Sequence, residues 1–122
     1  MVSFVRGEAQ GLELHEVERG LFQRVLGLGL TLLRLFLAEK GTGRDGDEIP
    51  LDDGTVLPFR QNRKCDYFSV FGKTDIDRAY YWRKGLEGHF PLDGELNLPE
   101  RSYSYVLQEL AVFWASGRPM TR

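Results

Sequence analysis

Two histidines, one cysteine, a run of aspartates and a cluster of lysines and arginines are the residues with chemistry to offer. His15 is followed by Glu16, but the zinc-protease pattern needs a second histidine four places on, and Arg19 stands there. His15 is therefore read as a structural group on a helix flank. His89 lies between Gly88 and Phe90 in an expected loop. A structural zinc site wants four ligands, so one histidine and one cysteine do not make one. No metal or other cofactor is expected, and Cys65 is read as a buried structural thiol.

The stretch Gly41–Gly54 sets Arg44 against Asp45, Asp47, Glu48, Asp52 and Asp53, a local charge of −4. Counted as a calcium loop from Asp45, Asp47 takes the third place but Ile49 occupies the fifth, where an oxygen is required. A solvated turn is the expectation. Gly41–Gly46 also lacks the lysine and Ser/Thr of a phosphate loop. An enzymatic reading would need Asp45, Asp47, Asp52 and Asp53 to converge on a metal.

The next segment has the opposite sign. From Arg60 to Gly85, Arg60, Arg63, Lys64, Lys73, Arg78, Arg83 and Lys84 stand against Asp66, Asp75 and Asp77, a local charge of +4. Tyr67, Phe68, Phe71, Tyr80, Tyr81 and Trp82 are interleaved with them. Basic groups meet phosphates, aromatic rings stack on bases, and a two-stranded ribbon fits the major groove of duplex DNA. Arg60, Arg63, Lys64, Lys73, Arg83 and Lys84 are the candidate DNA contacts. The plainer alternative is that the rings fill a core and the charges are solvated.

The elements that must position these groups follow from periodicity. Leu14, Val17, Leu21, Val25, Leu28, Leu32 and Leu35 recur at steps of three and four, one face of a helix over about 13–40. A second stripe through Phe22, Leu26, Leu33 and Leu37 widens that face, and the helix would be about 39 Å long. Gly20, Gly27 and Gly29 lower its propensity by about 1 kcal/mol each, a loss that close approach of another backbone would offset. Gly41 and Gly43 end it. The apolar run Leu26–Ala38 is shorter than the roughly 20 residues a bilayer needs and contains Arg34, so no membrane span is expected.

Asp53-Gly54 predicts a hairpin turn between Ile49–Leu51 and Thr55–Phe59. Pro50 and Pro58 confine those strands to short or edge positions. A second hairpin is expected from Cys65–Phe71 and Thr74–Trp82, with Gly72-Lys73 as its turn. The segment 86–99 reads as irregular loop. Tyr103, Val106, Leu107, Leu110, Phe113 and Trp114 fall at helical steps over 102–116, with Ser102 as cap and Gly117 and Pro119 as stop. Residues 1–12 read as a loose lead-in and 118–122 as a frayed tail.

The whole is one α+β domain over 1–122: a long N-terminal amphipathic helix, two antiparallel β-hairpins in 47–85 and a C-terminal helix. Its 122 residues are too few for two full cores, and 42% hydrophobic with 28% charged residues is ordinary for a soluble globular chain. The net charge of −2 excludes a histone-like binder. A single cysteine excludes an internal disulfide, and no basic-then-apolar leader opens the chain, so a cytoplasmic setting is expected.

A set of strings in fixed order carries a family resemblance. They are His15-Glu16-Val17-Glu18-Arg19-Gly20-Leu21-Phe22; Leu33, Leu35 and Phe36; Asp53-Gly54; and Tyr67-Phe68-Ser69-Val70-Phe71-Gly72 with Ile76, Arg78 and Tyr80-Tyr81. Pro91-Leu92-Asp93, Leu96-Asn97-Leu98-Pro99-Glu100, Ser102-Tyr103-Ser104-Tyr105 and Leu107-Gln108-Glu109 follow. Over about 12–116 the set resembles the N-terminal part of bacterial insertion-sequence transposases of the Kra type. The resemblance implies a non-catalytic segment that helps grip transposon-end DNA while the long helix packs or pairs with a second copy. In such transposases a DDE-type core, whose three carboxylates hold two divalent metals, follows this region. No residue here matches one of those carboxylates, so no enzymatic activity and no small-molecule substrate are expected. Relatives can carry cysteine pairs, like a zinc ribbon, where this chain has Arg83-Lys84-Gly85-Leu86-Glu87. The alternative reading is a protein-interaction or dimerisation module that does not touch DNA.

Overall fold

The structure is a computed structural model that describes residues 1–116. The expected helix stop at Gly117 and Pro119 and the tail 118–122 lie outside the described residues. The elements are α1 (Val2–Arg6), a 3-10 turn (Glu8–Gly11), α2 (Leu14–Lys40), β1 (Glu48–Pro50), β2 (Val56–Ser69), β3 (Gly72–Tyr81), α3 (Pro91–Glu95) and α4 (Tyr105–Ser116). This is an α+β fold, with the long helix, both hairpins and the last helix where the periodicity puts them.

The two hairpins are one antiparallel sheet, in the order β1-β2-β3. β2 is continuous through both, pairing with β1 at its start (Ile49 opposite Leu57) and with β3 along the rest (Cys65 opposite Ile76). Pro50 and Pro58 are accommodated because β1 is a three-residue edge strand. Asp53-Gly54 does form the first turn, with Gly54 at φ +86° and Asp53 accepting from the Thr55 N–H at 2.9 Å. The second turn is Val70-Phe71 rather than Gly72-Lys73. The Ser69 hydroxyl closes it, accepting from Phe71 N at 3.1 Å and donating to Gly72 O at 2.8 Å, so the glycine follows the turn instead of making it.

The register of β2 slips by one residue at Arg60, because Phe59 opposes Tyr81 while Gln61 opposes Tyr80. Such a bulge turns the alternation of one strand over. Beyond it Leu57 and Phe59 share a face with Ala79 and Tyr81, and the core of Ile49, Leu57, Ala79 and Tyr81 forms there. The Tyr81 hydroxyl donates to Gly46 O at 2.8 Å and accepts from Asp45 N at 2.9 Å, so the buried ring also ties down the acidic loop.

Three other expectations change. Residues 1–12 are not loose: Phe4 and Ala9 are buried, and the Phe4 ring sits where a Cβ on Gly20 would be. The stretch 86–99 contains α3, started by Pro91 at a position where its missing N–H is harmless. The cap of α4 is Ser104, whose Oγ accepts from Leu107 N at 3.0 Å, and Ser102 lies upstream of it. α2 rests on the hairpin tip, with the Phe71 ring occupying the space a Gly29 side chain would fill. Arg34 of α2 donates to Thr74 Oγ1 at 3.3 Å and to Lys73 O at 3.2 Å. Gly20 and Gly29 thus admit aromatic rings rather than another backbone, while Gly27 faces open space.

None of the α2 residues is buried. Leu14, Phe22, Val25, Leu28, Leu32, Leu35 and Phe36 are each at least half exposed. Its most apolar 18-residue window has a mean hydropathy of 1.6, so the 27-residue helix is long and apolar enough, by length and composition alone, to cross a membrane. The run Leu26–Ala38 underestimates it because the apolar character extends toward the N-terminus past Arg24.

Candidate nucleic-acid interface

The six candidate DNA contacts divide between two faces of the β2–β3 ribbon. The bulge places Arg60 beside Trp82: its Nε donates to Trp82 O at 2.9 Å and the guanidinium lies 5.2 Å from the indole centroid. Arg63 lies 4.0 Å over the Tyr80 ring. With its amide carbonyl turned to Arg63, Gln61 accepts from Nε at 2.9 Å and from the terminal nitrogen at 3.2 Å. Arg60, Gln61, Arg63, Tyr80 and Trp82 line one open cleft of about 510 Å³. Exposed Arg83 and Lys84 follow Trp82 directly in the turn that Gly85 (φ +84°) permits.

Lys64 and Lys73 occupy the other face. The register sets Lys64 opposite Asp77 and Asp66 opposite Asp75, and Lys73 pairs with Asp66 at 3.5 Å. That face therefore mixes two bases with three acids. Arg78 is withdrawn from the surface charge altogether. Its Nη1 donates to both oxygens of Asp93 at 2.8 and 2.9 Å, and its guanidinium lies 3.8 Å over Phe90. The +4 of the sequence is thus not a single field: two cations line the Trp82 cleft, two exposed ones follow Trp82 in the chain, two alternate with acids and one is a structural clamp. The bulge that separates them has no local sequence signal, because it follows from pairing with β3.

The aromatic rings mostly pack. Tyr81 is fully buried, Phe68 stacks on Tyr103 at 5.2 Å, and Tyr80 meets Phe90 at 4.8 Å. Trp82 remains at the cleft with its ring facing Arg60. Arginine held on an aromatic face keeps its donors in a fixed fork, the geometry that suits phosphate oxygens.

The other chemical candidates are held separately. Asp47 pairs with Arg44 at 2.8 Å, and Arg44 itself lies 3.8 Å over the Phe59 ring. The hydrogen bonds from Thr55, side chain first and backbone second, hold the Asp53 carboxyl below its ordinary value. His15 is exposed, with Nδ1 3.5 Å from Glu13, and Glu13, His15 and Glu16 bring one ligand atom each within 4.8 Å of one another. Glu13 and His15 project into solvent, where such pairs contribute at most about 1 kcal/mol. Cys65 is half-buried rather than buried, and burial pushes its thiol up. It lines a second cleft with Arg78, Asp93 and the segment 98–102.

Comparison with protein-family models, with curated proteins and with solved structures finds no match for this chain.

Proposed function

We propose that this protein is a non-catalytic DNA-binding and assembly segment of the kind found at the N-terminus of DDE-type insertion-sequence transposases. The observation that carries the reading is the cleft beside Trp82, where Arg60 and Arg63 are fixed on aromatic rings and Arg83 and Lys84 follow. Phosphates of duplex DNA are the ligand such a group of cations suits, and the cytoplasm is the setting that goes with it. The order of motifs from His15 to Glu109 supports the family context. No catalytic role, metal or small substrate is assigned to the chain.

Anisotropy of a labelled mixed-sequence duplex, titrated with the protein at several salt concentrations, tests the reading. Four phosphate contacts give a log–log slope of affinity against salt of about −3.6. Absence of binding at low salt, or binding indifferent to salt, would remove DNA contact and leave the second reading. That second reading is a protein-interaction module, and the uncovered apolar face of α2 favours it.

A further inference from the structure

The outer edge of β3 is paired along only part of its length. Ala79 N donates to Thr42 O at 2.9 Å, and Tyr81 and His89 exchange both main-chain bonds at 2.9 Å. These bonds point away from β2, so alternate residues from Lys73 to Tyr81 turn their N–H and C=O groups to that edge. At Lys73 the carbonyl is taken by Arg34. Asp75 and Asp77 stand between. Among the described residues, neither has a partner for its N–H or its C=O. Four strand-type main-chain groups are therefore open in a window closed by Arg34 at one end and Thr42 at the other. The window borders a cleft of about 350 Å³ whose apolar lining is Leu37, Ala38 and Ile76.

We propose that this window takes three residues of an extended segment of another protein, basic–apolar–basic in sequence, added as a short antiparallel strand. Tyr81 and His89 already pair in that manner on the same edge. Residues directly opposite in an antiparallel pair share a face. The two that oppose Asp75 and Asp77 therefore lie beside exposed carboxylates. Among the described residues neither carboxylate has an ion pair or a hydrogen bond, although Lys64 stands opposite Asp77 on β2. The residue opposite Ile76 falls on the other face, where Thr74 meets Arg34 of α2 and where Leu37 and Ala38 lie. Lysine or arginine suits the two outer places and an aliphatic residue the middle one. The chain does not supply this pattern to itself or to a second copy, because no two of its lysines and arginines stand two places apart. Two β3 edges brought together would also set like charges opposite each other. The inference goes beyond the DNA reading and does not depend on it.

Amide nitrogen–proton shifts of the full chain, titrated with acetyl-Lys-Leu-Lys-amide in the absence of DNA, test the proposal. The expected result is a saturable shift of the Asp75 and Asp77 amides with a Kd of about 1 mM or tighter. The same peptide N-methylated at both lysines keeps its charge but cannot donate to the edge, and should bind at least about 5-fold more weakly. Asp75→Asn with Asp77→Asn, both at exposed positions, should weaken the parent peptide at least about 3-fold. Absence of a saturable shift up to about 10 mM overturns the proposal, as do shifts centred elsewhere on the chain. So does equal binding of the N-methylated peptide or of acetyl-Glu-Leu-Glu-amide, or a double variant that binds like the wild type. Displacement of the peptide by an equal concentration of spermidine would make the window a plain cation site and also overturns it. The altered peptides leave the protein untouched, so they decide the matter should the double variant unfold.

Discussion

Arg78 on β3 and Asp93 on α3 are locked together, a single guanidinium nitrogen donating to both carboxylate oxygens at 2.8 and 2.9 Å while the Phe90 ring covers the cation. The pair fastens the short helix α3 to the sheet. Its Nε is buried without a partner, so the arginine depends on Asp93 for compensation.

Asp93→Ala should therefore lower unfolding free energy by about 1–3 kcal/mol. It leaves a largely buried cation unpaired, and the 41% exposure of Asp93 moderates the loss. Replacing both residues, Arg78→Met with Asp93→Leu, should recover part of it. Urea unfolding of the single and double variants checks the ordering, and a double variant no better than Asp93→Ala would show that the ion pair is not what holds α3.

Two glycines about half a turn apart on α2, and so on different sides of it, should respond in opposite directions. A Cβ on Gly27 meets open space, so Gly27→Ala should stabilise by about 0.5–1 kcal/mol through helix propensity. A Cβ on Gly29 would collide with the Phe71 ring, so Gly29→Ala should destabilise by about 1–3 kcal/mol. Paired thermal unfolding curves measure the contrast. Equal shifts would mean that the hairpin tip does not rest on α2.

The division of the basic residues makes its own prediction for DNA binding. Arg60→Gln and Arg83→Gln should each weaken duplex affinity and reduce the magnitude of the salt slope by about 0.9. Lys64→Gln and Lys73→Gln, facing Asp77 and paired with Asp66, should change neither. Anisotropy titrations of the four variants decide which face meets phosphate.

Cys65 supplies a pH dependence. Its thiol is pushed above the ordinary 9.0 by burial first, with help from the Asp93 and Asp66 charges and against the Arg78 charge. The folded value therefore exceeds the unfolded one. The associated stability is intact below the unfolded value and is lost as pH rises through the folded value. Alkylation by iodoacetamide at pH 8 should be slower in the folded protein than in urea. The alkaline loss of stability should be smaller in Cys65→Ala than in the wild type.

The local chemistry of the chain fixed much of the architecture. Steps of three and four determined the helix 14–40, and Gly41 at φ +77° stopped it. Asp53-Gly54 determined the first turn, and alternation placed both hairpins. These are contacts between near neighbours, so the residues that make them are visible together in the sequence. The second turn was misplaced because a serine hydroxyl, rather than the glycine, closes it. The cap of α4 was misplaced by two residues because either serine offers an oxygen, and which one is used depends on how Ser104 pairs with Phe68.

The tertiary structure alone decided how the charges are distributed. The bulge at Arg60 exists because Phe59 and Gln61 pair with adjacent residues of β3, a long-range register that no local pattern encodes. It sends Arg60 and Arg63 to the Trp82 cleft and leaves Lys64 and Lys73 among acids, where strict alternation allowed one cationic ribbon. Likewise, the sequence showed that α2 has a wide apolar stripe, but a stripe of leucines is the same whether it is buried or bare. Only the docking of the hairpin tip on Gly29, which uses the other side of the helix, left that stripe uncovered.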